Sequence, residues 1–116
     1  MKWTIEYYVT REGKSPVRDF IDSLSVESQA KYIFIADLLE EYGIQVREPY
    51  VKAIKGRKKL FEIRIKDKAT THRIFYFVYT DRKLILLHGF TKKEEKTPTR
   101  EIETAAARME DYLSRK

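Results

Sequence analysis

Residues 61 to 93, FEIRIKDKATTHRIFYFVYTDRKLILLHGFTKK, join two-residue hydrophobic alternation to a scatter of cations, and this pattern constrains the fold more than any other part of the chain. From Phe61 to Lys66 the apolar Phe61, Ile63 and Ile65 alternate with Glu62, Arg64 and Lys66, so one face enters a core while the other presents charge. From His72 to Thr80 the run is bulkier and almost wholly apolar, which predicts a central strand covered on both faces, with Arg73 at its entrance. Arg73 then shares a face with Phe75, Phe77 and Tyr79. Thr80-Asp81-Arg82-Lys83 predicts a hairpin turn, and Leu84 to Phe90 a further strand ended by Thr91-Lys92-Lys93. Three consecutive strands thus carry a basic surface.

The flanking segments complete an α+β pattern. Lys2 to Val9 predicts a first strand with Trp3, Ile5, Tyr7 and Val9 on one face. Ser15-Pro16 is a helix start, since serine can cap an orphan N–H and proline lacks one to satisfy; Val17, Phe20, Ile21 and Leu24 mark its apolar face. A second helix is expected from a Ser25 cap to Tyr42, with Gly43 as its left-handed terminator. Its core face is read as Ala30, Ile33, Phe34 and Leu38, widened by Tyr32, Ile35 and Leu39. Residues 43 to 59, with Pro49 and Gly56, read as an irregular or edge segment. Thr97-Pro98 opens a final amphipathic helix with Ile102, Ala105, Ala106, Met109 and Leu113 along one side. The expectation is one domain over residues 1–116: a first strand, a helical hairpin, a mostly antiparallel sheet of about four strands and a C-terminal helix.

The net charge of +6 is unevenly spread: residues 52 to 100 hold 15 Lys or Arg against 5 Asp or Glu, while the rest of the chain is net acidic. A basic half on an acidic scaffold points to a polyanionic partner, with nucleic acid first and an acidic protein second. Cysteine is absent and histidine occurs only at His72 and His88, so a thiolate site is excluded and a histidine metal cluster disfavoured, with carboxylate-bound magnesium left open. No apolar run approaches the roughly 18 residues of a membrane span, and the N-terminus lacks a signal-peptide core. The expectation is a soluble, cytoplasmic protein without membrane association, metal or cofactor.

The order of elements, together with Leu60-Phe61-Glu62-Ile63-Arg64-Ile65, His72-Arg73-Ile74-Phe75-Tyr76 and Leu87-His88-Gly89-Phe90-Thr91-Lys92-Lys93, resembles the RelE/ParE toxin superfamily. The nearest match is the HigB-like, phage-derived Gp49-like branch, in which an L-x-E-x-R strand, an R-x-F-Y strand, an H-x-F-x-K-K end and a T-P-x-x-E-I helix recur. The resemblance covers nearly the whole chain. It implies a RelE-like fold and a type II toxin: a ribosome-dependent mRNA endoribonuclease that binds ribosome and mRNA and is neutralised by a cognate antitoxin, usually a helix-turn-helix protein. The implied reaction needs no metal. The ribose 2′-OH attacks the neighbouring phosphate, leaving a 2′,3′-cyclic phosphate and a free 5′-hydroxyl. The alternative is a noncatalytic superfamily member: an inactive homologue, a ParE-like gyrase inhibitor or a phage nucleic-acid-binding protein.

Such a reaction builds charge on the non-bridging phosphate oxygens and calls for fixed cations. Arg73 is the first candidate, because its fork suits a phosphate, it cannot deprotonate, and its place corresponds to the superfamily's sheet arginine. Arg64, Lys92 and Lys93 match further cationic positions. Glu62 shares a face with Arg64 and is a candidate base, as is a lysine whose pKa falls among other cations. Lys66 is a candidate for positioning RNA, and His72 and Tyr76 for donating to or stacking on a base. Lys55, Arg57, Lys58 and Lys59 form a basic loop suited to nonspecific phosphate contacts. His88, in an apolar strand beside Gly89, reads as a satisfied core histidine. Lys93 is followed by Glu94-Glu95-Lys96, where several superfamily members place a catalytic Tyr or His, so the general acid is left unassigned.

Overall fold

The alternating runs assemble into one twisted sheet with helices on both faces. The structure, a computed structural model, describes residues 2–57, 59–68, 70–93 and 98–116. Its elements are β1 (Thr4–Tyr7), α1 (Pro16–Asp22), α2 (Val26–Tyr42), a 3-10 turn (Gly43–Gln45), β2 (Val51–Ala53), β3 (Leu60–Asp67), β4 (Thr70–Tyr79), β5 (Lys83–Lys92) and α3 (Thr99–Ser114). The strand order is β1-β5-β4-β3-β2, with β1 parallel to β5 and the other pairs antiparallel. The α+β architecture is the expected one, but the sheet has five strands rather than about four. The addition, β2, lies inside the segment read as irregular or edge. Three residues are too few to display alternation, and the strand exists because Val51, Lys52 and Ala53 pair with Ile63, Glu62 and Phe61.

The unbroken apolar run of β4 is explained by burial on both sides. Ile74 and Tyr76 join Ile63, Ile65, Leu84 and Leu86 beneath α1 and α2. Phe75 and Phe77 join Leu60, Ile85, Leu87 and Phe90 beneath α3, which contributes Ala105 and Tyr112 with Ile102 and Met109 beside them. Asp81 and Arg82 take positive φ in the β4–β5 hairpin, at 60° and 56°, as a tight turn between twisted strands requires.

α2 begins at Ser25, whose side chain accepts from the Ser28 N–H at 3.1 Å, and ends at Gly43 with φ of 54°. A Cβ at Gly43 would stand 2.0 Å from the Trp3 indole, so this position is held to glycine by packing as well as by conformation. The buried stripe of α2 is Ser28, Tyr32, Ile35 and Leu39: Tyr32, Ile35 and Leu39 belong to the widening expected of the core face, whereas Ala30, Ile33 and Phe34 from its expected centre are exposed and Leu38 is only partly buried. Ile33 and Phe34 are 58% and 52% exposed, because α2 carries more apolar residues than the single stripe that meets the sheet. Two helix starts also differ. Ser15 caps nothing with its side chain although Pro16 opens α1, and Pro98 is itself the N-cap of α3, Thr97 lying outside the described residues. At the far ends, Tyr8 rather than Val9 is buried after β1, and Tyr112 rather than Leu113 on α3.

A cationic candidate active site on the sheet

Residues paired directly across a sheet share a face, so the register decides which charges meet. Lys52, Glu62, Phe75 and His88 form one row across β2 to β5; Arg64, Arg73 and Phe90 form the next; Lys66, Thr71 and Lys92 the third. All lie on the α3 side of the sheet. Lys92 is there because of a bulge: Phe75 pairs with His88 while Tyr76 pairs with Leu86, leaving Leu87 as an extra residue in β5. Leu87 faces α3, and after the bulge His88, Phe90 and Lys92 face it too. Had the same residues run on in strict alternation from Leu87, with no bulge, Lys92 would lie on the opposite face.

At the centre, Arg73 donates from Nη1 to Glu62 Oε2, with side chains only 7% and 4% exposed. Arg64 places Nε 3.5 Å from the same carboxylate oxygen. Among the described residues, Glu62 Oε1, Arg64 Nε and Arg73 Nε are buried without a hydrogen-bond partner. Leaving such groups unpaired in a low-dielectric site is costly, so a ligand that accepts from the guanidinium groups and donates to Glu62 is favoured here. Burial first, then Arg64, pushes the Arg73 pKa down against the opposing pull of Glu62, yet an arginine stays charged. The Lys92 pKa is also lowered, by burial first and then by Arg73, with Arg64 and Lys52 adding to the effect and Glu62 opposing it. Among the described residues one carboxylate therefore serves three inward cations, Arg64, Arg73 and Lys92. The surplus positive charge, with Phe75 and Phe90 as an apolar wall 5.2 Å apart between ring centroids, suits a phosphate.

Other candidates lie elsewhere. Lys66 is exposed on the same face, at the end of β3, and Lys93 is exposed just past β5. Lys55, Arg57 and Lys59 are exposed on the β2–β3 connection, at the opposite end of β3 from Lys66; Lys58 lies outside the described residues. His72 and Tyr76 face the helical hairpin instead of Arg73. His72 Nδ1 is 2.9 Å from Thr91 Oγ1, its Nε2 3.4 Å from Asp67 Oδ2, and its ring meets Phe20 edge-on. Asp67 also accepts from Ser28 Oγ at 2.8 Å, which with His72 holds its pKa below the usual carboxylate range. Tyr76 is buried and stacked on Phe61, and burial raises its pKa. His88 is a satisfied histidine, as expected: Nε2 meets Glu101 Oε1 at 2.6 Å and Nδ1 meets Arg108 Nη1 at 3.2 Å.

The residue that sequence reasoning missed is Lys52, opposite Glu62 and electrostatically coupled to Lys92. Its signal is a two-residue alternation, Val51 buried and Lys52 exposed, in a strand too short to recognise unaided. Among the described residues no group of three or more His, Cys, Asp or Glu is placed to hold a metal ion, and no helix is long and apolar enough to cross a membrane.

No curated protein matches the chain. The family described as phage-derived protein Gp49-like (DUF891) matches residues 19–110, a span that begins within α1 and includes all of α2, every strand after β1, and Glu62, Arg64, Arg73 and Lys92. With the expected α+β fold and the cationic group in place, the chain belongs to the phage-derived Gp49-like family, a family of RelE/HigB-like toxins.

Proposed function

We propose that this protein is the toxin of a type II toxin–antitoxin pair and acts as a ribosome-dependent mRNA endoribonuclease, without a metal, until a cognate helix-turn-helix antitoxin neutralises it. The observation that supports this most strongly is the group formed by Arg64, Arg73 and Lys92 around the buried Glu62 carboxylate. In this reading Arg73 and Arg64 hold the scissile phosphate and meet the charge that grows on its non-bridging oxygens. Glu62, through the unpartnered Oε1, takes the proton of the attacking 2′-OH. The pair of electrons released as the P–O5′ bond breaks takes a proton from the Lys92 ammonium, whose lowered pKa makes it a better acid than an ordinary lysine. The 2′-oxygen–phosphorus bond forms as the 5′-oxygen leaves, so the products are a 2′,3′-cyclic phosphate and a 5′-hydroxyl. Lys52, Lys66 and Lys93, with the basic β2–β3 connection, provide phosphate contacts along the strand.

Induced expression of this chain, alone and together with any helix-turn-helix protein encoded beside it, tests this, with mRNA 5′ ends mapped. Growth arrest with new 5′-hydroxyl ends inside translated messages is the expected result, suppressed by the antitoxin. Arrest with intact messages and damaged DNA would instead identify a gyrase inhibitor.

A further inference from the structure

At the edge of β3, past the stretch that pairs with β2, a cleft of about 400 Å³ opens between the strand and the outer side of α2. β2 pairs with β3 only as far as Ile63, after which the Tyr50 carbonyl accepts the Arg64 N–H at 2.9 Å. From there the cleft is bridged from α2 by Lys31, whose Nζ donates to the Lys66 carbonyl at 2.6 Å. Two aromatic rings line it. Phe34 and Tyr50 meet edge-on with centroids 5.6 Å apart, and Phe34 is left half exposed because the sheet-facing stripe of α2 lies on other residues. Among the described residues three cations, Lys31, Arg64 and Lys66, line the same cleft, and no acidic residue does.

We propose that this cleft is a nucleobase subsite for a nucleotide next to the one whose phosphate sits at Arg73. The inference rests on the RNA-cleaving reading and assigns that strand a path. Arg64 is common to both places: it approaches Glu62 on the sheet face and lines the cleft at the sheet edge. Arg73 is one strand further in, about 5 Å away in the pairing direction. A single-stranded RNA leaving Arg73 thus passes Arg64, lays one base on Phe34 and Tyr50, and finds Lys66 and Lys31 for its next phosphate. Aromatic faces interleaved with cations are the means by which single strands are held without base-specific hydrogen bonds. A protein segment docking on Phe34 would be served by the apolar surface, but three cations lining the cleft favour a polyanion over an ordinary amphipathic helix.

The test uses the full chain and a fluorescent single-stranded RNA protected from cleavage by 2′-O-methyl groups, with affinity read by anisotropy. Phe34→Ser should weaken binding about tenfold, in the range seen when a base-stacking aromatic is removed. One abasic nucleotide, moved along the RNA, should weaken wild-type binding at a single position by a similar factor and cost the Phe34→Ser protein nothing further. Lys66→Gln should lower the salt dependence by about one phosphate contact and keep the abasic effect. Equal affinity of wild type and Phe34→Ser, while Arg73→Lys still weakens binding, overturns the subsite and leaves the RNA reading standing. RNA that does not bind the wild type at all overturns the subsite, while the RNA-cleaving reading falls only if induced expression leaves translated messages uncut. Unchanged RNA affinity with lost neutralisation by the antitoxin makes the cleft a protein-docking surface and also overturns the proposal.

Discussion

Arg73 stands directly opposite Arg64 in the pairing of β3 with β4, and the Glu62 carboxylate lies against both guanidinium groups. Like charges facing each other across strands destabilise a sheet. Glu62 makes the arrangement tolerable, and its free oxygen keeps it chemically competent.

Removing one partner of this buried pair should therefore cost more than removing both. Glu62→Gln is expected to lower the unfolding free energy by roughly 3–5 kcal/mol, since it leaves the buried Arg73 guanidinium without its carboxylate, whereas Arg73→Ala should cost less, because Glu62 keeps Arg64 Nε at 3.5 Å. The double variant Glu62→Gln/Arg73→Gln should recover much of that loss in urea unfolding. A double variant no more stable than either single one would show that the pair is not coupled. Because Arg73→Ala confounds folding with chemistry, Arg73→Lys is the better test of activity, and it should cut mRNA far more slowly while remaining folded.

Lys92 should set the alkaline side of the activity profile. Its pKa is depressed from the ordinary 10.5 by burial and neighbouring cations, so its ammonium is lost at lower pH than that of a free lysine. A general acid must be protonated, so cleavage should fall as pH rises through that lowered value. Lys92→Arg keeps the charge but cannot give up a proton. It should retain RNA affinity, lose turnover at least a hundredfold by the usual scale of acid–base contributions, and show no alkaline decline.

His88 couples α3 to the sheet in a pH-dependent way. Burial, followed in effect by Arg108, depresses its pKa below 6.5, against the pull of Glu101. The native state then binds fewer protons than the unfolded chain between the lowered value and 6.5. Stability is fully present above pH 6.5 and declines as pH falls toward the folded value. Thermal unfolding of His88→Gln across that window should lack the wild-type slope; an unchanged slope would assign it to other groups.

Gly89→Ala is expected to destabilise by about 1–3 kcal/mol, the usual cost of overpacking. A Cβ there would fall 2.4 Å from Cδ2 of Phe20 on α1. Phe20→Leu in the same chain should restore part of the stability, as measured by chemical denaturation.

Much of the fold is legible locally. The alternation in β3, the apolar run of β4, the Ser25 cap and Gly43 each state their conformation through side-chain period, hydrogen bonding or backbone freedom. Arg64, Arg73 and Glu62 are legible as a charged face for the same reason. What local pattern misjudges is any surplus: α2 has two apolar faces, and nothing within it says that Tyr32 and Leu39 are buried while Ile33 and Phe34 are left outside.

The amino-acid sequence alone determined the order of elements apart from β2, the basic half of the chain and the presence of phosphate-suited cations, because these depend on composition and on periods of two and 3.6 residues. Only the tertiary structure decided which of those cations meet. The strand register sets Arg64 against Arg73 and brings Lys52 opposite Glu62, and the bulge at Leu87 turns Lys92 toward them while His72 stays on the other face. Register and bulges are properties of paired strands, set by packing and hydrogen bonding between segments distant in sequence, so no single segment encodes them.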